Sequence, residues 1–369
     1  MLTKADDYPI HQTPDPVITS SDRNAYDRYF FNGHSIEGDL FFGATFGVYP
    51  YLNVMDGAFC VVADGVQHNL RVSRHMGWER MDTHAGPLSV EVIEPLKRLR
   101  VRVSPNEHGV EADLVFTGRC HPMEEPRQRT FSGGRVGIDL TRMTQNGRWE
   151  GWISVHGKRI EVKPETAYGT RDRSWGLRQI GVPRDPRQVA WVWAPLQAAD
   201  REFLFYAIED ADGEATVQGG QMVMLDGSGH EHMADAFAEL EFQPGTRQIS
   251  KATLQFTRRR RRGDIEIVLT PRIGNRMFLN GLGYGHLEWA HAMDKGELAV
   301  AYDTLEPGAI TVHTPPYMHA TWAQYEVQVD AVAKLPGGQT LQARGILEQL
   351  IVGDYHPAGL KGYTDGYAP

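Results

Sequence analysis

The run Leu99-Arg-Val-Arg-Val103 decides the fold class, because its apolar and charged side chains alternate residue by residue. Similar alternation occurs in Val110-Glu-Ala-Asp-Leu-Val-Phe116 and in Trp149-Glu-Gly-Trp-Ile-Ser-Val155. A period of two is typical of a β-strand that buries one face and exposes the other. These runs therefore predict strands that pack one face of a sheet on a core.

The same pattern continues through the second half of the chain. Four more runs show it: Gln188–Trp193, Phe203–Ile208, Ala252–Phe256 and Ile265–Leu269. Tight-turn pairs occur at Asn146-Gly147, Asp212-Gly213, Asp226-Gly227 and Gly263-Asp264. Helical periodicity is confined to two short candidates, Ser21–Phe30 and Met233–Leu240. Many short strands with few short helices predict a mainly β fold of antiparallel barrels or sandwiches.

The length of the chain suggests two domains. It has 369 residues, and domains commonly hold ~100–200 residues. We predict an N-terminal arm over 1–22, a first β domain over 23–180 and a second β domain over 181–369, packed together. The proline-rich, charged segment Gly181–Arg187 would connect them. A ligand cleft between the domains is expected, since domain junctions favour such sites.

Charge and composition limit the partners and the cellular compartment that we expect for this protein. The net charge of −9 gives no reason to expect nucleic acid as a partner. The cysteines, Cys60 and Cys120, are too few for a disulfide framework, so a reducing compartment is expected. The N-terminus has no secretory h-region, and no apolar run approaches the ~20 residues of a membrane-spanning helix. We expect a cytoplasmic protein without a membrane span, with a homodimer left open.

Charged and aromatic side chains concentrate in the stretch Tyr168-Gly-Thr-Arg-Asp-Arg-Ser-Trp-Gly176. If it is extended, the even-numbered side chains, Tyr168 and Asp172 among them, share one face. The other face then carries Arg171, Arg173 and Trp175. Asp172 is the candidate general base and Tyr168 an auxiliary proton donor, while the arginines would hold developing negative charge and the tryptophan would form an apolar wall. The alternative is a structural turn in which Asp172 pairs with a neighbouring arginine.

A second cluster lies in Gly281-Leu-Gly-Tyr-Gly-His-Leu-Glu-Trp-Ala-His291. In a strand, Tyr284, His286 and Glu288 would lie on one face. His286 is suited to exchange protons near neutral pH, with Glu288 as its partner and Tyr284 as a second proton donor. Trp289 would line the substrate pocket. Structural histidines are the alternative, and His-x4-His without a third ligand is weak evidence for a metal.

A third region begins with a polar turn, Asn32–Asp39, that leads into the aromatic run Leu40–Tyr51. Its substrate-binding candidates are His34, Asp39, Phe46 and Tyr49. Core packing explains the aromatic side chains equally well, and the same two interpretations apply to Trp193.

Common cofactor and triad signatures are absent from the sequence. It has no Walker loop, no dinucleotide GxGxxG after a strand, no HExxH and no GxSxG elbow. The arginine run Arg258–Arg262 stands alone in an acidic chain and is weak evidence for nucleic acid. We expect neither a cofactor nor a metal.

Several motifs over about residues 140–300 match a known group: Gly147–Gly151, Tyr168–Gly176, Trp191–Trp193 and Gly283–His286 with Trp289. They resemble the carotenoid 1,2-hydratase (hydroxyneurosporene synthase)-like group of lipocalin-like two-barrel proteins, and in part kievitone hydratase and lipocalin-type cyclases. The matching motif positions are Asp172, Arg171, Arg173, Trp175 and His286. The resemblance implies two lipocalin-like, calycin-type β domains with a hydrophobic cleft. It also implies cofactor-free hydration, elimination, isomerisation or cyclisation of an apolar substrate.

Sequence and resemblance together predict a cofactor-independent lyase of hydratase, dehydratase or related elimination type. The substrate would be a small hydrophobic molecule, namely a hydroxylated or unsaturated terpenoid, steroid or aromatic compound. Asp172 and His286 would be the acid/base pair, with Arg171 or Arg173 fixing an oxygen. Two alternatives stay open: a non-catalytic lipocalin-like binder of the same ligand class, and a cofactor-free isomerase or cyclase. A carrier needs few ionisable groups in its cleft, which favours the enzyme.

Overall fold

The computed structural model describes residues 2–11, 22–77, 79–132, 134–182, 188–233, 235–257, 265–309 and 323–362. Within these ranges the chain is mainly β-structure, and its helical segments are short 3-10 turns. The strands form two nearly closed, barrel-like antiparallel sheets, so the prediction of a mainly β fold with two antiparallel barrels is confirmed. None of the helical segments in these ranges has the length and apolar character needed to cross a membrane.

The described strands are numbered in chain order. The first thirteen are β1 (Ala25–Ser35), β2 (Phe41–Tyr49), β3 (Val54–Ala63), β4 (Val66–His75), β5 (His84–Ala85), β6 (Leu88–Glu94), β7 (Arg98–Val103), β8 (Val110–Gly118), β9 (Met123–Glu124), β10 (Gln128–Ser132), β11 (Arg135–Val155), β12 (Lys158–Val162) and β13 (Ala167–Leu177). The others are β14 (Val189–Ala198), β15 (Arg201–Glu209), β16 (Ala215–Met224), β17 (His230–Met233), β18 (Asp235–Phe242), β19 (Ile249–Thr257), β20 (Ile265–Phe278), β21 (Leu298–Leu305), β22 (Gln324–Lys334) and β23 (Thr340–Val352). The 3-10 turns are Lys4–Asp7, Pro50–Leu52, Leu279–Leu282, Pro307–Ala309 and His356–Ala358.

The chain divides into two compact units. The first comprises Met1–Arg184 together with Asn280–Leu305, and the second comprises Asp185–Leu279 together with Glu306–Pro369. The segment 280–305, assigned to the second domain from the sequence, therefore belongs to the first unit. It contributes strand β21, which pairs with β4.

Each unit contains one sheet. The first is 14-stranded, in the order β21-β4-β3-β2-β1-β13-β11-β8-β7-β6-β5, with β9, β10 and β12 also paired to β11. The second is 9-stranded, in the order β17-β16-β15-β14-β23-β22-β20-β19-β18. In the first sheet β1 lies between β2 and β13. The charged stretch 168–176 and the aromatic run 40–51 are therefore both next to β1.

The inner face of the first sheet is an apolar core. Phe46, Phe116 and Trp149 are buried in it, so the packing interpretation applies to Phe46. The indole Nε1 of Trp149 donates to the Asn32 carbonyl oxygen at 2.8 Å. Gly169 leaves room for this indole, because a Cβ atom at that position would lie 2.1 Å from the indole nitrogen.

Three local predictions are wrong. The helix candidates Ser21–Phe30 and Met233–Leu240 fall largely in strands, β1 and β18, and the pair Asn146-Gly147 lies inside the long strand β11. Sheet pairing between distant segments overrides the local preferences there. The turns at Asp212-Gly213 and Asp226-Gly227 are confirmed. Several features lie outside the described residues: Gly263-Asp264, Arg258–Arg262, 183–187 in the connecting segment and 12–21 in the N-terminal arm.

Candidate functional site

The stretch 168–176 lies in strand β13, and its alternate side chains lie on opposite faces of the sheet. Arg171 and Arg173 are fully buried on the inner face, where the Arg173 guanidinium carbon lies 4.2 Å from the Tyr29 ring centroid. Arg171 pairs with Asp7, and Arg173 pairs with Asp27. Both predicted oxyanion-binding arginines therefore have carboxylate partners, and neither lies on the face that carries Asp172.

Residues 2–11 complete this inner cluster. The carboxylate of Asp7 accepts hydrogen bonds from Arg171 and from the Leu96 amide. His11 stacks on Trp175 with ring centroids 3.8 Å apart, and its Nδ1 lies 3.2 Å from Asp27 Oδ1. Trp175, a predicted pocket wall, is therefore covered by the N-terminal segment.

The opposite, outer face of the same strands carries rows of mostly polar side chains, buried or half-buried, across β1, β13 and β11. The first row holds Arg28, Ser174 and Arg142, and the second holds Phe30, Asp172 and Thr144. Two further rows hold Asn32, Thr170 and Asn146, then His34, Tyr168 and Arg148. Buried polar groups need hydrogen-bonding or ionic partners. The arginines and Asp172 of this face therefore need such partners.

Asp172 lies at the centre of the outer face. Arg142 Nε lies 2.9 Å from Asp172 Oδ2, and Arg142 Nη1 donates to Glu125 Oε2 at 3.2 Å. Burial raises the pKa of Asp172 to about 6, and Glu125 contributes to the rise, whereas Arg142, Arg28 and Arg178 oppose it. The Asp172 side chain is nevertheless 16% exposed, so its carboxyl group can be reached from outside. It can therefore take up and release a proton close to neutral pH.

Two more arginines lie beside this ion pair. The guanidinium carbon of Arg28 is 4.9 Å from the Tyr284 ring centroid and 5.6 Å from the Tyr26 ring centroid. The guanidinium carbon of Arg178 is 5.7 Å from the same Tyr26 centroid. Burial and the neighbouring Arg28 lower the pKa of Arg178 below its ordinary value. Repulsion between the two guanidinium groups contributes to this depression.

The second cluster folds as a series of turns, so the expected strand with Tyr284, His286 and Glu288 on one face is wrong. The segment covers part of the outer face through backbone contacts. The Leu282 carbonyl accepts from Thr45 Oγ1 at 3.3 Å, and the Ala292 amide donates to Asp56 Oδ2 at 2.5 Å. These contacts fix the segment against strands β2 and β3.

Tyr284 and His286 have different surroundings. Tyr284 meets Phe30 edge-on, with ring centroids 6.2 Å apart, and so reaches the row that carries Asp172. His286 Nδ1 instead accepts hydrogen bonds from the amides of Glu288 and Trp289, at 3.1 and 3.0 Å. Burial and Arg71 lower the pKa of His286 to about 4, so its ring is neutral at pH 7. Its Nδ1 is occupied as an acceptor and is poorly placed to act as a base. The Glu288 side chain is exposed.

Tyr49 and His291 lie at the same side of the site. The Tyr49 hydroxyl donates to Asp56 Oδ1 at 3.0 Å, and burial raises the pKa of Asp56 to about 6. Burial, with Arg28 as the next cause, holds the pKa of His291 well below its ordinary value. A small cavity separates this part of the segment from β2–β4, and Trp289 and His291 line it.

The remaining predicted residues lie elsewhere. His34 stacks on Tyr168 with ring centroids 6.0 Å apart, and the Arg148 guanidinium lies 3.5 Å from the Tyr168 centroid. Asp39 is exposed and accepts a hydrogen bond from Ser35 Oγ. Trp193 is buried in β14 of the second unit.

Sequence reasoning missed most of the residues around Asp172: Tyr26, Arg28, Asp56, Glu125, Arg142 and Arg178. One signal was present in the sequence: Asp27 and Arg28 are charged residues in the run Tyr26–Phe31, whose other residues are all aromatic. Charged side chains are rarely buried unless they are paired. Within the described part of the chain, no group of three or more His, Cys, Asp or Glu side chains is arranged to hold a metal ion.

The fold and the site define a class of protein: two antiparallel β-barrel-like units, the first with a charged outer face that includes Asp172, a partly accessible carboxyl group with a pKa near 6. The chain belongs to the family of unknown function DUF8625, which matches residues 2–361. No curated protein matches the sequence.

Solved structures share the fold at low sequence identity. A Nitrosomonas europaea protein provisionally called AttH is 13% identical, with 88% of this chain and 92% of that chain covered and a TM-score of 0.54. CghA, crystallised with Sch210972, is 12% identical, with 90% of each chain covered and a TM-score of 0.55. Kievitone hydratase from Nectria haematococca is 10% identical, with 88% of each chain covered and a TM-score of 0.49. The likeness to AttH and CghA concerns the fold alone, and at that level it agrees with the resemblance drawn from the motifs.

Proposed function

We propose that this protein is a cofactor-independent lyase of the hydratase or dehydratase type. It acts on a small hydrophobic, hydroxylated or unsaturated molecule of the terpenoid, steroid or aromatic class. The observation that carries the proposal is Asp172, whose pKa lies near 6 and whose side chain is partly accessible beside Arg28 and Tyr284. A general acid or base works best when its pKa lies near the operating pH.

The proposed elimination begins with the Asp172 carboxylate, which removes a proton from a carbon of the substrate. The C–H electron pair forms the double bond as the neighbouring C–O bond breaks. The leaving hydroxyl takes a proton, from Asp172 itself or from the Tyr284 hydroxyl, and departs as water; in the second case Asp172 then returns its proton to the tyrosine. Hydration is the reverse sequence.

Arg28 takes the role that the sequence suggested for Arg171 and Arg173. It faces Tyr284, and it lowers the pKa of Asp172, so its charge acts on the same site. Fixed guanidinium donors stabilise negative charge that develops on an oxygen conjugated with the reacting carbon. Arg142 would keep Asp172 oriented through the 2.9 Å ion pair.

The proposal is tested by mass spectrometry on a pool of apolar metabolites incubated with the purified protein. The wild type is run beside Asp172→Asn and beside Arg159→Gln, a matched control because Arg159 is half-exposed and pairs with Glu161 on β12. We expect a compound that gains or loses the mass of water with the wild type and the control but not with Asp172→Asn. A compound that co-purifies unchanged with all three proteins would indicate a carrier instead. A product of unchanged mass would indicate an isomerase or cyclase.

A further inference from the structure

Two arginines close enough to affect the pKa of Asp172 have no paired carboxylate in the described part of the chain. Among the residues that the structure describes, Arg28 and Arg178 form no ion pair, and their guanidinium groups make no hydrogen bond. Arg28 is only 4% exposed. By contrast, Arg142 on the same face is held by Asp172 and Glu125. Burying a guanidinium group without hydrogen-bond acceptors is costly, because the group loses its hydration.

Two further polar atoms converge on the same place. The Tyr26 hydroxyl is buried and has no hydrogen-bond partner within the described ranges. The Tyr26 ring lies 5.6 Å from the guanidinium carbon of Arg28 and 5.7 Å from that of Arg178. The Nε2 atom of His291 is also buried without a partner there, and its ring is within electrostatic reach of both arginines. A hydroxyl, two guanidinium groups and an imidazole N–H can all donate hydrogen bonds.

An apolar cluster adjoins these donors. A buried cluster separate from the barrel core contains Tyr26, Tyr49, Val54, Leu140, Ile180 and Ala292. The site therefore places two guanidinium groups without a paired carboxylate, among the described residues, next to aromatic and aliphatic side chains. An amphipathic ligand with one acidic group fits this combination.

We propose that Arg28 and Arg178 bind an anionic oxygen group of the ligand, a carboxylate, enolate or phenolate, while the apolar body of the ligand packs on the cluster around Tyr26. This inference rests on the proposed function in one respect, since it identifies the ligand with the substrate of the lyase. Planar guanidinium groups suit such oxygens because they donate two parallel hydrogen bonds. When Asp172 removes a proton from a carbon conjugated with this group, the two guanidinium groups would stabilise the additional negative charge that reaches its oxygens.

The test uses two fluorescent probes that differ in charge. 8-Anilino-1-naphthalenesulfonate carries an anionic group, and N-phenyl-1-naphthylamine has the same aromatic framework without it. Affinity of each probe is measured for the wild type, Arg28→Gln, Arg178→Gln and the control Arg159→Gln. We expect each of the first two variants to lose about tenfold or more in affinity for the anionic probe, the cost of one charge-assisted hydrogen bond, while the neutral probe changes less than about twofold. Equal binding of the anionic probe by all four proteins would overturn the proposal.

A second measurement needs no variant and so does not depend on their folding. Arginines of the wild type are modified with phenylglyoxal, and the modified sites are identified by mass spectrometry, with and without 2-naphthoate or its neutral amide. We expect 2-naphthoate, but not the amide, to protect Arg28 and Arg178. Protection by both compounds or by neither would contradict an anion site. 2-Naphthol at high pH carries a phenolate oxygen in place of the carboxylate. Comparing its protection of the two arginines with that by 2-naphthoate shows whether the site prefers a phenolate or a carboxylate. Both experiments report binding alone, so their outcome is distinguishable from a loss of turnover in Asp172→Asn.

Discussion

At the residue scale, the alternation of β13 assigns different tasks to neighbouring side chains. Asp172 lies on the outer face with a pKa near 6, whereas Arg171 and Arg173 lie on the inner face with buried carboxylate partners. The even and odd faces were predictable from the sequence, because an extended chain alternates. The partners of these side chains were not predictable. Arg28 and Arg142 are far from Asp172 in the chain, and strand pairing brings them close to it. Asp7 reaches Arg171 only because the N-terminal segment folds against the barrel.

The pKa of Asp172 leads to a pH prediction. Burial raises the pKa of Asp172 from its ordinary value of 3.8 to about 6, so the carboxylate form, which acts as the base, is lost as the pH falls through about 6. We expect kcat/KM for elimination to fall about tenfold for each pH unit below about 6 and to level off above about 7. The pH–rate profile of the wild type measures this. A profile that is flat between about pH 5 and 7 would contradict the assignment of Asp172 as the base.

Two side chains of the second cluster should respond differently to substitution. Tyr284 faces Arg28 and Phe30, whereas His286 uses Nδ1 to bind two backbone amides. We expect Tyr284→Phe to lower kcat about tenfold to a hundredfold, if its hydroxyl is the proton donor. His286→Gln should act mainly on stability, because it removes the acceptor of those amides. Steady-state kinetics and thermal unfolding of both variants check this. Loss of kcat in His286→Gln at unchanged stability would restore the histidine to the proposed mechanism.

At the element scale, strand periodicity was the part of the fold that the sequence predicted best. The runs in β7, β8 and β19 are strands because a half-buried sheet requires alternation. The helix predicted for Met233–Leu240 is wrong because β18 forms its hydrogen bonds with the separate strand β19. A local sequence pattern contains no information about that pairing. The strand predicted for the second cluster is wrong for a related reason. Its glycines and the backbone bonds to Asp56 and Thr45 favour turns over a strand.

The segment 2–11 gives a prediction about stability. Asp7 is fully buried and pairs with the buried Arg171. Asp7→Asn leaves that guanidinium without its counter-charge, so we expect a loss of about 3–5 kcal/mol in the free energy of unfolding. Urea unfolding measures the loss. The matched control is Asp64→Asn, which breaks the exposed pair with Lys158 and should cost less than about 1 kcal/mol. Equal stability of the two variants would show that the N-terminal segment does not support the barrel.

At the scale of the whole molecule, the chain order of the first unit is its least predictable property. Residues 280–305 return to this unit after most of the second unit has been completed in sequence, and they supply β21 and the turns over β2–β4. Nothing in the composition of the segment marks this return. The site around Asp172 needs it, because Tyr284 and His291 both come from it.

This chain order predicts that residues 1–184 do not form a stable unit alone. Without 280–305, Asp56 loses the Ala292 amide, Arg71 loses Asp303, and the edge of β4 is unpaired. We expect 1–184 to be aggregated or to unfold without a cooperative transition. The same residues fused through a long glycine-serine linker to 280–305 should unfold cooperatively. Circular dichroism during heating compares the two proteins. A cooperative transition of equal midpoint in both would contradict the structural role given to the segment.

The measurement that tests the central claim most directly is oxygen exchange in water enriched in the heavy oxygen isotope. A hydratase or dehydratase labels the hydroxyl group of its substrate at equilibrium, whichever direction is favoured, because each cycle releases one hydroxyl as water and adds another. We predict that the wild type and Arg159→Gln label a compound of the apolar metabolite pool and that Asp172→Asn does not. If the wild type binds a compound of this pool but leaves its oxygens unlabelled, or if Asp172→Asn labels it as fast as the wild type, the Asp172-centred lyase is contradicted.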